Sequence, residues 1–410
     1  MKFSIITLGC KVNEYESQSM MAQLENAGHD VDEGLVIADY YIINTCAVTN
    51  MAERKSRQVI AKIKKLNPSA KILVCGCASQ HNLEQFKDYE HVVGIIGTQG
   101  KHNIVDYLEH KGLLDITKEY TNMSFAKNTL TRQYVKVQDG CNNFCTYCII
   151  PYTRGRSRSR ELQDVLTEIK SSDALEIVIT GIDVSDYTID GKKELITLLE
   201  EVDKIGKRFR ISSIHCGILT EEFLVRLSKC KNFCPFFHIS MQSASNDTLK
   251  RMNRHYSIEE YIEVCQNVKK HFPTACISTD IIVGFKGETD KEFDETVKNL
   301  RNIPFSFLHI FPYSVRQGTV AERLKDDVPA NVVKQREQLL KQVNDEFYNK
   351  FLNDNIGKTH KVLVEEFKGG YSVGYTENYV YVYIDEKLDN GIYEVKTTSI
   401  FKDGLKAKLI

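Results

Sequence analysis

Three cysteines of one short segment, Cys141, Cys145 and Cys148, form a C-x3-C-x2-C run. Cysteine thiolates hold iron–sulfur clusters, and common ferredoxin clusters use four of them at other spacings. Three thiolates around one cluster leave one iron without a protein ligand. An open iron binds and activates small molecules, so this spacing indicates catalysis rather than electron storage.

Two simpler interpretations compete with a cluster at this run. One is a zinc knuckle, and the other is three cysteines buried in a core. Structural zinc is closed by four nitrogen or sulfur ligands, and no histidine or fourth cysteine lies near Cys141–Cys148 in the sequence. The spacing therefore favours an iron–sulfur cluster.

Another set of cysteines, Cys10, Cys46 and Cys77, is spread over the first eighty residues; in chain order it is the first cysteine set, and Cys141, Cys145 and Cys148 are the second. Each follows a predicted strand, and neighbours are separated by about one strand–helix unit. The carboxyl ends of parallel strands meet at one crevice of an open sheet, so the three thiols are expected to converge there. The alternative is that each is a small buried hydrophobe. We interpret Cys75, Cys216, Cys230, Cys234, Cys265 and Cys276 as core residues.

The elements that must position Cys10, Cys46 and Cys77 belong to an alternating pattern of strands and helices. Apolar runs predict strands at 2–8, 40–45, 71–75 and 92–96, and amphipathic segments predict helices at 13–28 and 51–67. Such a βαβ series implies an open, mostly parallel sheet, which we place in an N-terminal domain over 1–111.

A second series follows a predicted linker at 112–132. Strands are predicted at 133–138, 175–180, 208–213, 236–241, 276–285 and 305–311, with helices between them. Six βα units are too few for an eight-stranded barrel. The pattern therefore predicts a partial, open (β/α)6 barrel over 133–328.

The last part of the chain changes character again. A connecting helix is predicted within 329–356, and short strands separated by Gly369-Gly370 and Asn390-Gly391 turns predict a small antiparallel β-barrel of five strands over 357–410. The fold class is therefore α/β, with a parallel α/β domain, a partial barrel and a β-barrel in that order.

Composition restricts the function. Apolar residues make up 42% and charged residues 27% of the 410 residues, and the net charge is −1, so nucleic-acid affinity has to come from local patches. No apolar run has membrane-spanning length and no secretory signal is visible. We expect a soluble, cytoplasmic protein without a membrane partner, in which twelve cysteines serve metal or redox chemistry.

Two groups of residues are candidates for RNA contact. Arg154, Arg156, Arg158 and Arg160 follow the C-x3-C-x2-C run within seven residues, and guanidinium groups suit phosphates. The simpler interpretation is a solvated charged loop. The C-terminal strands carry Tyr371, Tyr375, Tyr379, Tyr381 and Tyr383 near Lys361, Lys368 and Lys387. These rings either stack on unpaired bases or form barrel core.

Several motifs together resemble a known family. Tyr147 makes the central run C-x3-C-x-Tyr-C, which resembles the signature of radical S-adenosylmethionine (SAM) enzymes. With GCKVNEYES, NTCAVTN, GCASQ and YTRGRSRSR, and with the terminal barrel, it resembles the radical SAM methylthiotransferases over nearly the whole chain, and the barrel resembles their TRAM domain.

Within that family the motifs look most like enzymes acting on N6-threonylcarbamoyladenosine of tRNA. The alternatives are N6-isopentenyladenosine of tRNA and an aspartate of a ribosomal protein. A non-enzymatic iron–sulfur RNA-binding sensor is a third possibility. Only an enzyme would need both an open iron and strand ends that line a SAM site.

The resemblance implies roles for the cysteines. Cys141, Cys145 and Cys148 would hold a 4Fe–4S cluster that binds SAM and yields a 5′-deoxyadenosyl radical. Cys10, Cys46 and Cys77 would hold a second 4Fe–4S cluster that supplies sulfur. The target would be carbon 2 of the modified adenosine at position 37, in the anticodon loop, with a second SAM as methyl donor. An electron donor such as flavodoxin or ferredoxin would be a partner.

For SAM itself the sequence suggests positions beside the cluster and at the ends of barrel strands. They are Tyr147, Gly181, Asp183, Gln242, Ser243, Gly284 and Glu288. Each glycine could equally serve a turn, and Glu288 a helix N-terminus. The chain departs from the family pattern at Ala244, Lys286 and His215-Cys216, which puts the fine geometry of the SAM or substrate site in question.

Overall fold

The computed structural model describes residues 1–125 and 131–410, so positions 126–130 of the predicted linker lie outside the described residues. The elements fall into three parts along the chain, namely a parallel sheet, a partial barrel and a closed barrel. Among the helices that the structure describes, none combines the length and apolarity needed to cross a membrane.

The first part is a six-stranded sheet with the order β2-β1-β3-β4-β5-β6, in which every pair is parallel. Its strands are β1 (Lys2–Thr7), β2 (Asp30–Glu33), β3 (Tyr40–Thr45), β4 (Lys71–Gly76), β5 (Val92–Ile96) and β6 (Lys111–Leu113). Its helices are α1 (Lys11–Asn26), α2 (Asn50–Leu66), α3 (Cys77–His81) and α4 (Glu84–Lys87), followed by a 3-10 turn at Lys101–Tyr107. The predicted open parallel sheet is confirmed.

Two strands of this sheet were not expected from the sequence. β2 has the polar sequence DVDE, and β6 has three residues, so neither shows the apolar run that predicts a strand. The strand order 2-1-3-4-5 is that of flavodoxin-like sheets, whose ligands bind where the order reverses, between the first and third strands. Cys10 and Cys46 follow these two strands.

The second part contains six parallel strands in sequential order, β7, β9, β12, β13, β14 and β15. Parallel bridges between Phe209 and Phe233 and between Ile214 and Ile239 join its two halves. The predicted partial (β/α)6 barrel is therefore confirmed. The strands are β7 (Arg132–Asp139), β8 (Arg158–Ser159), β9 (Glu176–Gly181), β10 (Thr188–Ile189), β11 (Lys192–Lys193), β12 (Arg208–Ile211), β13 (Phe236–His238), β14 (Cys276–Val283) and β15 (Phe307–Pro312).

The helices of this part pack their apolar faces on the barrel strands. They are α5 (Ile150–Arg154), α6 (Leu162–Ser171), α7 (Leu195–Lys204), α8 (Glu221–Leu227), α9 (Asn246–Arg251), α10 (Ile258–His271) and α11 (Asp290–Leu300). Capping boxes at Ser257 and Thr289 fix the starts of α10 and α11, because serine or threonine and the glutamate three positions on satisfy free backbone N–H groups.

The third part begins with α12 (Ala330–Asp354) and closes into a barrel with the order β16-β17-β18-β20-β19. Its strands are β16 (Thr359–Lys368), β17 (Tyr371–Tyr375), β18 (Tyr381–Ile384), β19 (Gly391–Phe401) and β20 (Gly404–Leu409). The prediction of five strands in a barrel is confirmed, but β18 and β20 run parallel. An odd number of strands cannot close with antiparallel pairs alone, so one parallel pair is required.

An ion-pair network centred on Glu176 links the partial barrel to the terminal barrel. It is fully buried and forms ion pairs with Arg132, Arg208 and Arg210. Arg208 also donates to the backbone carbonyl of Lys361, and Arg210 to two carbonyls of the β17–β18 loop. Burial raises the pKa of Glu176, but the three guanidinium groups outweigh it and lower the pKa from 4.5 to about 2.

Replacing Glu176 by glutamine should therefore destabilise the protein strongly. Loss of one partner leaves buried arginines uncompensated, which costs about 3–5 kcal/mol. Because the folded-state pKa of Glu176 is depressed, its contribution is fully present above pH 4.5 and is lost as the pH falls towards 2. Chemical denaturation followed by tyrosine fluorescence at pH 7 and at several pH values below 4.5 measures both effects.

The matched control is Glu200→Gln, which breaks the half-exposed pair of Glu200 with Arg226. Such surface pairs contribute at most about 1 kcal/mol. Equal losses for the two variants, or an unchanged acid profile in Glu176→Gln, would contradict the role of Glu176.

Candidate functional site

The first cysteine set lies at the carboxyl edge of the parallel sheet. Cys10 is the residue that precedes α1, Cys46 follows β3 directly, and Cys77 is the first residue of α3. Cys46 and Cys77 are buried and Cys10 is exposed. The sheet order brings the three loops together, although the cysteines are far apart in sequence.

Glycines allow the loops of this set to approach closely. Gly9 has φ +115°, and a Cβ on it would lie 2.8 Å from Cβ of Cys46 and 3.1 Å from its Sγ. Gly76 has φ +104°, and a Cβ there would lie 2.6 Å from the carbonyl oxygen of Thr45. Both positions therefore require glycine for conformation and for space.

Asparagine side chains hold the same loops in register. Asn13 Nδ2 donates to the carbonyl of Leu8 at 2.7 Å and to that of Thr45 at 3.0 Å. Asn44 Nδ2 donates to the carbonyl of Asn13 at 2.9 Å. The ends of β1 and β3 are thus fixed to each other on either side of the point where the strand order reverses.

The thiol of Cys46 is protonated unless a metal displaces the proton. Burial is the main cause that raises the pKa of Cys46 to about 12, and Cys77 raises it further, while the N–H of Val48 acts in the other direction. Metal binding requires a thiolate and releases the proton. This donor set therefore suits an ion or cluster with a strong affinity for sulfur.

The second cysteine set lies on the loop between β7 and α5. Gly140 has φ +73°, and a Cβ on it would lie 2.0 Å from the carbonyl oxygen of Arg156. The N–H of Cys148 donates to the carbonyl of Cys145 at 3.0 Å. Phe144 adopts φ +47°, a left-handed conformation that non-glycine residues rarely take. The loop is thus tightly wound around its three cysteines.

The segment after α9 holds this loop from the outside. Asn253 Nδ2 donates to the carbonyls of Asn143 and Phe144, and Arg254 Nη1 donates to Cys145 Sγ at 3.4 Å. Asn143 Nδ2 donates to Cys141 Sγ at 3.3 Å. N–H groups directed at cysteine sulfurs stabilise the thiolate form that an iron–sulfur cluster requires.

A cavity of about 320 Å³ opens beside Cys145. Asp183, His215, Arg254 and Tyr256 are among the residues that line it. Burial is the main cause that lowers the pKa of His215, and the charge of Arg254 adds to it, so this imidazole is neutral at pH 7. Besides Asp183, Arg254 and the neutral imidazole of His215, the lining of this cavity at the edge of the second set contains Asp186, Lys193 and His255.

The two carboxylate oxygens of Asp183 differ in their hydrogen bonding. Its Oδ2 accepts from Asn143 at 2.7 Å, whereas its Oδ1 is buried without a hydrogen-bond partner in the part of the chain that the structure describes. A buried carboxylate oxygen without a donor is costly. An amino group or hydroxyl of a bound small molecule would satisfy it, so the residues present fit a polar cofactor such as SAM.

The two cysteine sets do not have the geometry of a zinc site. Within 1–125 and 131–410, no three His, Cys, Asp or Glu side chains are close enough to share one metal ion. Sulfurs around tetrahedral zinc lie about 3.8 Å apart, since each Zn–S bond is about 2.3 Å. A four-iron cluster binds each thiolate through a different iron and spaces the sulfurs more widely.

Two of the residues suggested for SAM have other tasks. Glu288 is buried, and its Oε2 accepts from the N–H of Gly284 at 2.8 Å and from Arg336 at 2.7 Å. Ser243 is buried, and its Oγ accepts from the N–H of Ser245 in the turn before α9. These bonds already occupy Glu288 Oε2 and the acceptor side of Ser243 Oγ, and a direct SAM contact by either residue stays a prediction.

The other suggested positions divide into two groups. Asp183 lines the cavity, whereas Gly181, Gln242, Gly284 and Tyr147 are not among its lining residues. Gly181 permits close approach of β9 to β7, since a Cβ there would lie 3.0 Å from the carbonyl of Gln138. The Tyr147 ring packs edge-on against Phe285. A SAM contact by these four residues stays a prediction.

Three of the four arginines expected to hold RNA are buried. Arg160 pairs with Glu168, Arg158 with Asp139, and Arg154 is fully enclosed. The prediction that these three contact phosphates is wrong, because their guanidinium groups are buried and paired with carboxylates of the chain itself. Arg156 alone is exposed, and its guanidinium lies 4.3 Å from the centroid of the Phe144 ring.

The terminal barrel has an aliphatic interior and an outer groove that carries three of its tyrosines. The interior is formed by aliphatic side chains such as Val362, Val382 and Leu405. Tyr375, Tyr381 and Tyr383 instead line an outer groove of about 710 Å³ together with Lys368 and Lys402. Of the two alternatives for these rings, the structure favours a surface that stacks ligands over barrel core.

Sequence reasoning missed Asn143, Asn253 and Arg254, which hold the second cysteine set. The usable signal was weak: Asn143 lies inside the cysteine run, whereas Asn253 and Arg254 lie over one hundred residues away. His215 was noted only as a departure from a family pattern, and it lines the cavity.

Models of two known families match the parallel-sheet part and the partial-barrel part of the chain. A model described as Radical SAM superfamily matches residues 135–300, and one described as Uncharacterized protein family UPF0004 matches residues 2–97. These ranges contain the second and the first cysteine set, respectively.

Curated relatives are similar over nearly the whole chain. A threonylcarbamoyladenosine tRNA methylthiotransferase, MtaB, of Thermotoga maritima is 37% identical over 98% of this chain and 95% of its own. The protein of that name from Bacillus subtilis is 36% identical over 97% and 93%. A tRNA-2-methylthio-N(6)-dimethylallyladenosine synthase of Clostridium botulinum is 36% identical over 89% of this chain and 86% of its own.

Solved structures share the fold at low sequence identity. The radical SAM methyltransferase TsrM from Kitasatospora setae superposes with a TM-score of 0.57 at 12% identity, covering 76% of this chain and 74% of that one. The cobalamin-dependent radical SAM enzyme OxsB gives 0.55 at 12% identity, covering 85% and 56%. At this identity the likeness extends to architecture alone.

Proposed function

We propose that this chain, which belongs to the radical SAM methylthiotransferase family, adds a methylthio group to carbon 2 of N6-threonylcarbamoyladenosine at position 37 of tRNA. Membership makes it a tRNA-modifying enzyme that uses SAM and 4Fe–4S clusters. The observation that carries the substrate is the similarity to the Thermotoga maritima MtaB over 98% of the chain.

The cofactor sites follow from the two cysteine sets. We assign one 4Fe–4S cluster to Cys141, Cys145 and Cys148 and the second to Cys10, Cys46 and Cys77. When bound, the clusters and SAM supply one-electron chemistry and sulfur, which no side chain can provide. The chain itself contributes position, charge and the exclusion of water.

The cavity residues have separable tasks in that scheme. The unpartnered Oδ1 of Asp183 would accept a hydrogen bond from SAM, while Arg254 directs N–H groups to Cys145 Sγ, to the carbonyl of Ser240 and to Nδ1 of His215. Neutral His215 accepts from Arg254 without adding a second positive charge. The guanidinium of Arg254 is thus held in place next to Cys145. It would also lie beside SAM, which carries both positive and negative groups.

RNA would be held by the exposed Arg156 and by the tyrosine groove of the terminal barrel. Arg156 lies just past the second cysteine set, where the anticodon loop has to approach for its base to reach the reacting centre. The groove offers aromatic rings for unpaired bases, and its charged lining consists of two lysines and three carboxylates. The cytoplasm, which holds the tRNA pool, is the proposed location, with flavodoxin or ferredoxin as the proposed electron donor.

Arg156→Ala should weaken tRNA binding and reduce its salt dependence. Each lost phosphate contact lowers the slope of log K against log salt concentration by about 0.7–0.9. Binding isotherms with unmodified tRNA at several salt concentrations measure the slope. Arg301→Ala, which removes a half-exposed arginine at the end of α11, is the control. A slope that falls equally in both variants, or in neither, would refute a phosphate contact of Arg156.

Nucleoside mass spectrometry of tRNA tests the substrate. Cells without the gene should lack the 2-methylthio derivative of N6-threonylcarbamoyladenosine, and complementation should restore it. The C. botulinum relative makes N6-isopentenyladenosine the second candidate, since its identity to this chain is also 36%. Loss of that methylthio derivative instead, or of a modification on a ribosomal protein, would overturn the proposed substrate.

A further inference from the structure

The guanidinium of Arg154 uses all five of its N–H donors inside the protein. Nε donates to Cys77 Sγ at 3.3 Å. Nη1 donates to Glu16 at 2.8 Å and to Asp139 at 3.2 Å, and Nη2 donates to Asn13 at 2.8 Å and to Glu16 at 3.1 Å. The side chain is fully buried, so its orientation towards Cys77 is fixed by four other bonds.

Arg154 also connects the two cysteine sets. It is the last residue of α5, which begins two residues after Cys148, and α5 packs against α3, which begins with Cys77. One short helix therefore joins Cys148 to Arg154, and the guanidinium of Arg154 donates a hydrogen bond to Cys77 Sγ. Movement of either cysteine loop is resisted by the other through this helix.

The charges around Arg154 leave a place for an anion. Two carboxylates and four cations form one buried network, consisting of Glu16, Asp139, Lys101, Lys136, Arg154 and Arg158. In the described part of the chain these cations pair with no further carboxylate, so positive charge is in excess. Buried charge is costly unless it is compensated. Arg154 Nε lies 3.3 Å from Cys77 Sγ, so a negatively charged group bound at this sulfur would compensate the excess.

We propose that Arg154 is a positioning residue for the cluster of the first cysteine set, where its N–H bond fixes the Cys77 thiolate and its charge favours the reduced state. This rests on the proposed function, since it takes Cys10, Cys46 and Cys77 as cluster ligands. Hydrogen bonds to ligand sulfurs and nearby charge set the potential of such clusters. Removal of the donor should therefore make the midpoint potential more negative.

The test uses the full chain carrying Cys141→Ala, Cys145→Ala and Cys148→Ala, so that spectra report one cluster only. Arg154→Lys keeps the charge and lacks the N–H fork, and Arg154→Met lacks both. Anaerobically reconstituted proteins are titrated electrochemically and followed by electron paramagnetic resonance, with iron per chain as a second readout. We expect a more negative midpoint potential and faster iron loss to a chelator in Arg154→Lys than in its parent, and a larger change in Arg154→Met.

Arg160→Lys in the same parent is the matched control, because Arg160 is a buried arginine of the same segment that pairs with Glu168 and contacts no cysteine. Its potential and rate of iron loss should equal those of the parent. A parent that binds no cluster would overturn both the ligand assignment and this proposal. If the parent binds a cluster and Arg154→Lys and Arg154→Met have the same midpoint potential and iron retention as the parent, the proposal alone is overturned. Circular dichroism confirms that each variant is folded.

Discussion

Cys145→Ala is expected to abolish reductive cleavage of SAM and, with it, all product. Cys145 is the cysteine of the second set that lines the cavity, and its sulfur accepts the N–H of Arg254 at 3.4 Å. Loss of a supporting residue at a metal site typically costs about 10- to 100-fold, and loss of a ligand should exceed that. The measurement is anaerobic release of 5′-deoxyadenosine by chromatography and mass spectrometry, with iron content determined on the same samples.

The control for this prediction is Cys230→Ala. Cys230 is a half-buried cysteine in the loop after α8, outside both cysteine sets. That variant should keep its iron and its 5′-deoxyadenosine yield. If Cys145→Ala cleaved SAM at the rate of the unaltered protein, the second cysteine set would not be the SAM-binding centre.

The convergence of Cys10, Cys46 and Cys77 was predictable because it depends on sheet topology alone. Each cysteine follows a strand, and parallel strands end at one edge of the sheet. Cysteines that are far apart in the sequence can therefore lie close together in the fold. The chain could not reveal which strands are neighbours. β2, whose sequence is polar, completes the order that places Cys10 and Cys46 on either side of the reversal.

The arginine segment shows why a local charge pattern predicts poorly. Arg154 and Arg160 resemble a solvated or RNA-facing run when read with their neighbours. Glu16 lies 138 residues before Arg154, and its helix α1 covers the segment in the folded protein. The sequence shows charges without their partners, and burial depends on the partners. Of the four arginines, Arg156 alone is exposed to solvent, as the charge pattern predicts.

The SAM candidates illustrate a related limit. Asp183 and Glu288 are both carboxylates near the carboxyl ends of barrel strands, so the sequence treats them alike. Among the residues that the structure describes, one Asp183 oxygen is without a donor, whereas Glu288 is held by Gly284 and Arg336. Arg336 belongs to α12, outside the barrel. Which carboxylate has a free oxygen depends on contacts made by an element that the βα pattern does not include.

Cys77→Ala is expected to separate the two halves of the reaction. The second cysteine set, with its cavity, is built on β7, α5 and the segment after α9, so SAM cleavage should continue. Distant sites usually perturb each other by no more than about 0.5 kcal/mol, which corresponds to a two- to threefold change in the yield of 5′-deoxyadenosine. Methylthio product should be absent, because the first set would lose the ligand that Arg154 holds.

The separation depends on α5 transmitting little change when Cys77 loses its sulfur. Arg154 keeps its bonds to Glu16, Asp139 and Asn13 in this variant, so the helix stays anchored while one N–H loses its acceptor. Cys75→Ala, two residues earlier and inside β4, removes a buried sulfur from the strand that precedes Cys77 and is the control for packing. Full methylthio product in Cys77→Ala would refute the ligand role of Cys77. Loss of 5′-deoxyadenosine as severe as in Cys145→Ala would instead show that the two sets act as one unit through Arg154.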